Sequence, residues 1–163
     1  KASGQPGWLA SKGKYADFEL ALEYRLAKGS AGGIFVRAAH DGQMSEFWEV
    51  QLGEDAAAKY QQMADPQHAP AQDGTSRNRQ DSRPLVQFRA PADRWNKIII
   101  RAVGGYIQVW NGTECRSIDL SKAGPRAPSG SSRSDGCIGL RFVRATLEFR
   151  ELRLREQKSS RSK

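Results

Sequence analysis

Residues 17–26 read DFELALEYRL. Phe18, Leu20, Leu22, Tyr24 and Leu26 fall on one face of an extended chain. Asp17, Glu19, Ala21, Glu23 and Arg25 fall on the other. A strict two-residue alternation marks a β-strand buried on one side and wet on the other, the habit of antiparallel sheets. A helix would need its apolar residues three and four apart, and these are two apart.

Working outward, the same period recurs. KGSAGG (28–33) is a turn, and GIFVRAA (33–39) is the next strand, with Ile34 and Val36 on one side and Phe35 and Arg37 on the other. After HDGQ (40–43) comes EFWEVQL (46–52). There Trp48, Val50 and Leu52 take the apolar face, and Phe47, Glu49 and Gln51 the opposite one. RWNKIIIRAV (94–103), YIQVW (106–110) and TECRSIDL (113–120) read as a meander. Its turns are Gly104-Gly105 and Asn111-Gly112, pairs that supply the positive φ of tight hairpins. Asn111-Gly112-Thr113 also fits the N-glycosylation pattern, but the turn accounts for both of its first residues. CIGLRFV (137–143) and TLEFRELRLRE (146–156) close the series, after PLVQF (84–88) earlier in the chain. In the last strand Leu147 and Phe149 have one parity and Leu152 and Leu154 the other. A bulge near Glu151 would return them to one face.

About nine or ten strands with no clear helix make an all-β fold, an antiparallel β-sandwich of jelly-roll type. No internal repeat is present. Two stretches break the rhythm. Residues 53–84 are mostly polar, and a segment of that length inside a compact domain is either a binding loop or an insertion. Residues 123–136 form a second long loop.

Composition narrows the function classes. The chain has 163 residues, 38% hydrophobic and 27% charged, enough for one domain with a real core. Residues 1–156 are expected to form it, and 157–163 a frayed basic tail. No apolar run approaches the ~18 residues of a membrane span. The net charge is +8, and five Lys/Arg oppose two Glu in 151–163. Elsewhere acids interleave with the bases and no nucleic-acid motif occurs, which points away from nucleic acid as a partner. The chain opens without Met and without a signal peptide. The expectation is a domain excised from a larger, exported protein. Cys115 and Cys137 lie in no CxxC, and His40 and His68 are far from both, which disfavours zinc. A disulfide and two free thiols both stay open.

The ordered series YADFELALEYRL, GGIFVRA, WEVQL, DRWNKIIIRAVGGYIQVWNG and GCIGLRF…LEFRELRLRE resembles the 3-keto-disaccharide hydrolase domain family across residues 8–156. The resemblance implies a concanavalin A-like jelly roll. It implies a carbohydrate ligand on the concave sheet, and cleavage or binding of 3-keto-glycosides. The family pattern runs Tyr-Gly-Asp-Phe-x-Leu, Ser-Gly-Ile-x-x-Arg, Glu-x-Gln, Gly-x-Trp-Asn, x-Trp-x-Asn-Gly and Gly-x-Ile-x-Leu-Gln. Here Ala16 replaces a Gly, and Ala31-Gly32-Gly33 stands where Asn-Ser-Gly is common. Arg141 follows Ile138-Gly139-Leu140 in place of Gln. The family's opening strand is expected to be absent before Trp8. Loss of polar groups favours the rival, a non-catalytic glycan-binding or protein-interaction module of a larger exported protein.

If strands 33–39 and 46–52 pair, parity gathers Arg37, Glu49 and Gln51 on one face. A ketone at C3 acidifies the C2 proton of a sugar, and its removal can expel the C1 substituent. The resemblance thus makes Glu49 the base, with Arg37 or a bound divalent cation stabilising the enolate-like oxygen. Ordinary glycosidases instead need paired carboxylic acids, and no second one is obvious here. Gln51, Tyr60 and Trp110 are the candidate sugar contacts. The competing structural reading is an ordinary Glu49–Arg37 cross-strand ion pair. Trp95 and Asn96 are expected to fix a strand start, and His68 to lie in solvent.

Overall fold

A computed structural model describes residues 2–3, 7–39, 47–53, 86–122, 134–144 and 146–157. Tyr60, His40, His68 and most of the expected basic tail lie outside the described residues. Eleven strands are present among the described residues: β1 (Ala2–Ser3), β2 (Gly7–Ala10), β3 (Phe18–Leu26), β4 (Ala31–Ala38), β5 (Trp48–Gly53), β6 (Val86–Arg89), β7 (Asn96–Val103), β8 (Tyr106–Asn111), β9 (Glu114–Asp119), β10 (Cys137–Arg144) and β11 (Thr146–Glu156). A single 3-10 turn, Leu120–Lys122, is the only helical element among the described residues. The strands build two packed sheets, one ordered β1-β11-β3-β7-β8-β9 and the other β2-β10-β4-β5-β6. The fold is a jelly-roll β-sandwich of the concanavalin A-like kind.

The opening stretch sits at the centre of the six-stranded sheet. Residues of β3 alternate buried and half-buried without a break. Phe18, Leu20, Leu22, Tyr24 and Leu26 face the other sheet and join Ile98, Ile100, Ile107, Val109 and Leu147 in the main core. The five-stranded sheet answers with Ile34, Val36, Trp48, Val50, Leu52, Phe88 and Ile138. Tyr24 is the polar exception. Its hydroxyl donates to Asn111 Oδ1 at 3.2 Å, and burial raises its pKa well above the ordinary phenol value although that bond lowers it.

Three departures from simple alternation shape the molecule. The bulge expected near Glu151 is present: pairing of β11 with β3 shifts between Arg150 and Arg153, and Glu151 has φ +53. Leu154 then pairs with core-facing Leu20, though Leu152 and Leu154 stay exposed. A second bulge lies where β4 meets β10. Ala38 pairs with Cys137 and Phe35 with Gly139, leaving Val36 and Arg37 opposite Ile138 alone. Arg37 there has φ +52. The third departure is that β5 and β6 pair in parallel. Parallel neighbours need a crossover of about a dozen residues or more, and the long 54–85 segment supplies the length.

Periodicity did not flag β1 or β2. Ala2–Ser3 is only two residues long, and Gly7–Ala10 is half-exposed to exposed, so neither carries an apolar signature. Cys115 is exposed and Cys137 buried, and the two are not joined in a disulfide.

Candidate functional site

Glu49 and Gln51 lie on β5, between β4 and β6 of the five-stranded sheet. Trp48, Val50 and Leu52 point into the core, so the two polar residues face outward. They are nevertheless 4% and 1% exposed. A polar side chain at that depth is unfavourable unless its atoms find partners. Gln51 Oε1 accepts a hydrogen bond from Gln87 Nε2 on β6 at 2.6 Å. Gln51 Nε2 has no partner, the only such buried side-chain atom found among the described residues. It is a buried donor in want of an acceptor.

The neighbouring strand makes room. Gly33 pairs with Gln51, and Phe35 with Glu49. A methyl group built at Gly33 would run into Glu49 Oε1 and would lie 3.0 Å from its Cγ and Cδ. The carboxylate therefore leans over the bare backbone of Gly33, next to the Gln51 amide. On the far side of Gly33, its partner on β10 is Arg141. The Arg141 guanidinium lies 5.9 Å from the Phe35 ring, which itself stacks on Phe47 at 4.1 Å.

Arg37 is not in this group. Parity puts it beside Phe35 on the outer face, but the bulge inserts an extra residue and reverses the side chain. Its guanidinium is inside, 2% exposed for the residue. Nη1 donates to Gly104 O at 2.7 Å, and Nη2 and Nε to Ala16 O at 3.0 and 3.3 Å. Nη2 also lies 3.5 Å from Asp17 Oδ1, whose carboxylate accepts from Gly104 N at 2.9 Å. Burial lowers the Arg37 pKa, while the charges of Asp17 and Asp135 raise it, and an arginine so placed stays protonated. The residue clasps the five-stranded sheet to the entry of β3 and the β7–β8 turn. The expected Glu49–Arg37 pair, as catalytic couple or as cross-strand ion pair, is replaced by Arg37–Asp17.

Trp110 also lies elsewhere. It pairs with Ile99 and Cys115 in the six-stranded sheet, half-buried on the outer face away from Glu49. Trp95 is on that same face, with the guanidinium carbons of Arg150 and Arg25 at 3.9 and 5.0 Å from its ring. Asn96 fixes the strand start as expected, its Nδ2 donating to Arg94 O at 2.9 Å. Of the sequence-derived candidates, the structure brings together Glu49 and Gln51. It adds Gln87 and Arg141, which sequence reading did not select. Arg141 carried a signal nonetheless, since it occupies the position after Ile138-Gly139-Leu140. A bound cation would need several hard ligands converging. Among the described residues no three His, Cys, Asp or Glu are grouped to hold one.

The sequence matches the 3-keto-alpha-glucoside-1,2-lyase-like domain over residues 1–155. The chain belongs to that family. It is thereby a carbohydrate-related domain. No curated protein matches it in sequence. Solved structures share the fold. A candidate glycosyl hydrolase of Parabacteroides distasonis ATCC 8503 superposes with a TM-score of 0.68 at 16% identity, covering 94% of this chain and 84% of the other. A second one from the same organism gives 0.64 at 12%, covering 97% and 78%. The carbohydrate-binding module CBM66 of Bacillus subtilis gives 0.58 at 14%, covering 96% and 84%. At these identities the likeness is one of fold. In this family member Glu49 and Gln51 face outward from the five-stranded sheet, and Arg37 lies within the sandwich.

Proposed function

We propose that the domain cleaves 3-keto-glycosides on the outer face of its five-stranded sheet, with Glu49 as the base. The observation that carries this is the buried, unpartnered Gln51 Nε2 beside a carboxylate held over bare glycine backbone. A ligand oxygen would complete that hydrogen bond.

Glu49 takes the C2 proton, and the C–H electron pair moves into the C2–C3 bond as the C3 carbonyl becomes an enolate. Gln51 Nε2 donates to that oxygen, where negative charge develops. The enolate then re-forms the ketone, a C1–C2 double bond forms, and the C1 substituent departs with the bonding pair and takes up a proton. Addition of water at C1 would complete hydrolysis. The arrangement needs one carboxylate, and among the described residues Glu49 is the one on this face. Replacing Glu49 with Gln should lower turnover of a 3-keto-glucoside by about 10²-fold or more, the usual contribution of a positioned base. Unchanged turnover would remove Glu49 from the reaction.

The second reading is glycan binding without cleavage, favoured by Arg141 in place of the family's Gln. It predicts saturable sugar binding by the wild-type protein, no release of the C1 substituent, and binding retained in Glu49→Gln.

A further inference from the structure

We propose that Trp8 and Arg141 form a second sugar subsite beside Glu49, holding the ring attached to the reacting one. The proposal rests on the carbohydrate site described above. Residues paired across a sheet point to the same face, so Trp8, Arg141, Gly33, Gln51 and Gln87 make one row across all five strands. Trp8 stands at its end, on edge strand β2, 42% exposed. Among the described residues it belongs neither to the main core nor to the outer cluster of Phe35, Ala38 and Cys137. Burial therefore does not account for a large indole here.

Spacing gives the row its use. Strands lie about 4.8 Å apart, so Trp8 is roughly 10 Å from Gly33, two strands away. The Glu49 carboxylate lies over Gly33. A ring on the Trp8 indole is thus one sugar along from a ring at Glu49. Only Arg141 projects between them in this row, because Gly33 has no side chain. In the adjacent row Ala10 and Gly139 are small, and Phe35 stands between Gly139 and Glu49 as an apolar floor under the Arg141 guanidinium. The indole presents an apolar face to the C–H face of a pyranose, and the Arg141 guanidinium presents a planar fork of donors to neighbouring hydroxyls. The occupant is a disaccharide lying across the strands.

The test uses a glucosyl-glucose disaccharide and methyl glucoside without the C3 ketone, which cannot undergo the elimination. Calorimetry should show wild-type protein binding the disaccharide more tightly. Trp8→Ala should weaken the disaccharide about 10-fold and leave methyl glucoside within about twofold, with Trp8→Phe restoring most of the loss. Trp8 is exposed, so the unfolding midpoint of Trp8→Ala should stay near wild type. Equal wild-type affinity for the two sugars, binding of neither, or equal weakening of both in Trp8→Ala overturns the subsite. The Glu49→Gln turnover assay reads the parent proposal separately, so either can fail while the other stands.

Discussion

The two outer faces of the sandwich use the same residue types to different ends. On the six-stranded sheet Arg150 Nε meets Glu23 Oε2 at 2.7 Å, Arg155 Nη2 meets Glu19 Oε1 at 3.2 Å, and Arg25 Nε meets Glu148 Oε2 at 2.7 Å. Trp95 lies against two of these guanidinium groups. The guanidinium groups of those pairs reach solvent while the glutamates are half-buried, and each pair is worth little. On the five-stranded sheet Glu49 and Gln51 are buried, and one amide donor is unpaired. Charge that can hydrate is cheap to keep. Buried polarity is destabilising, and its persistence next to a glycine-made gap is what makes that face the candidate site.

Arg37 gives the largest test of this contrast. If it served the site face, its loss would show in turnover with the fold intact. As a clasp between sheets it should show in stability: Arg37→Ala removes the buried guanidinium that the carbonyls of Ala16 and Gly104 and the Asp17 carboxylate share, and should cost about 3–5 kcal/mol in urea unfolding. Gly33→Ala comes next. The added methyl displaces the Glu49 carboxylate, so sugar turnover or binding should fall about 10-fold or more for a stability loss of only about 1–3 kcal/mol. A variant with wild-type activity would mean that the carboxylate position does not matter. On the other face, Glu23→Gln should change stability by less than about 1 kcal/mol and leave activity alone, checked by the same two assays.

The smallest effect concerns Asp119, also on the six-stranded sheet. Its Oδ1 accepts from Ser121 Oγ at 2.6 Å and Ser121 N at 3.0 Å, and its Oδ2 from Lys122 Nζ at 3.0 Å. The Ser121 side chain first, then Lys122, lowers its pKa in the folded protein. A carboxylate depressed on folding contributes stability above its unfolded pKa, and that contribution is lost as pH falls through the folded value. Stability measured across the acid range should therefore decline slightly more for wild type than for Asp119→Asn. Parallel curves would show that the 3-10 turn adds nothing to stability.

Much of this contrast was legible in the chain. The alternation of 18–26 and of 48–52 set the strands and the two faces of each. The crossed parity of Leu147 and Leu154 gave the bulge at Glu151. Glu49 and Gln51 were legible because two polar residues sit opposite three large apolar ones. Arg37 was misplaced because parity counts residues, and a bulge adds one where no local signal of it exists. Trp110 was grouped with Glu49 although it lies in the other sheet, since an aromatic at a strand end carries no mark of which sheet it joins. Trp8 and Arg141 were passed over for the converse reason. They are more than a hundred residues apart, and only the pairing of β2 with β10 makes them neighbours.

The sequence by itself determined the strands from β3 onward, the buried side of those that alternate, and the strand that carries the polar pair. Those follow from a period of two, which each segment holds alone. Which strands lie together was decided by the tertiary structure. Partner choice and register are settled when two sheets close over one core, and that closure took Arg37 inside, sent Trp110 to the far face and set Trp8, Arg141, Gly33 and Gln51 in one row.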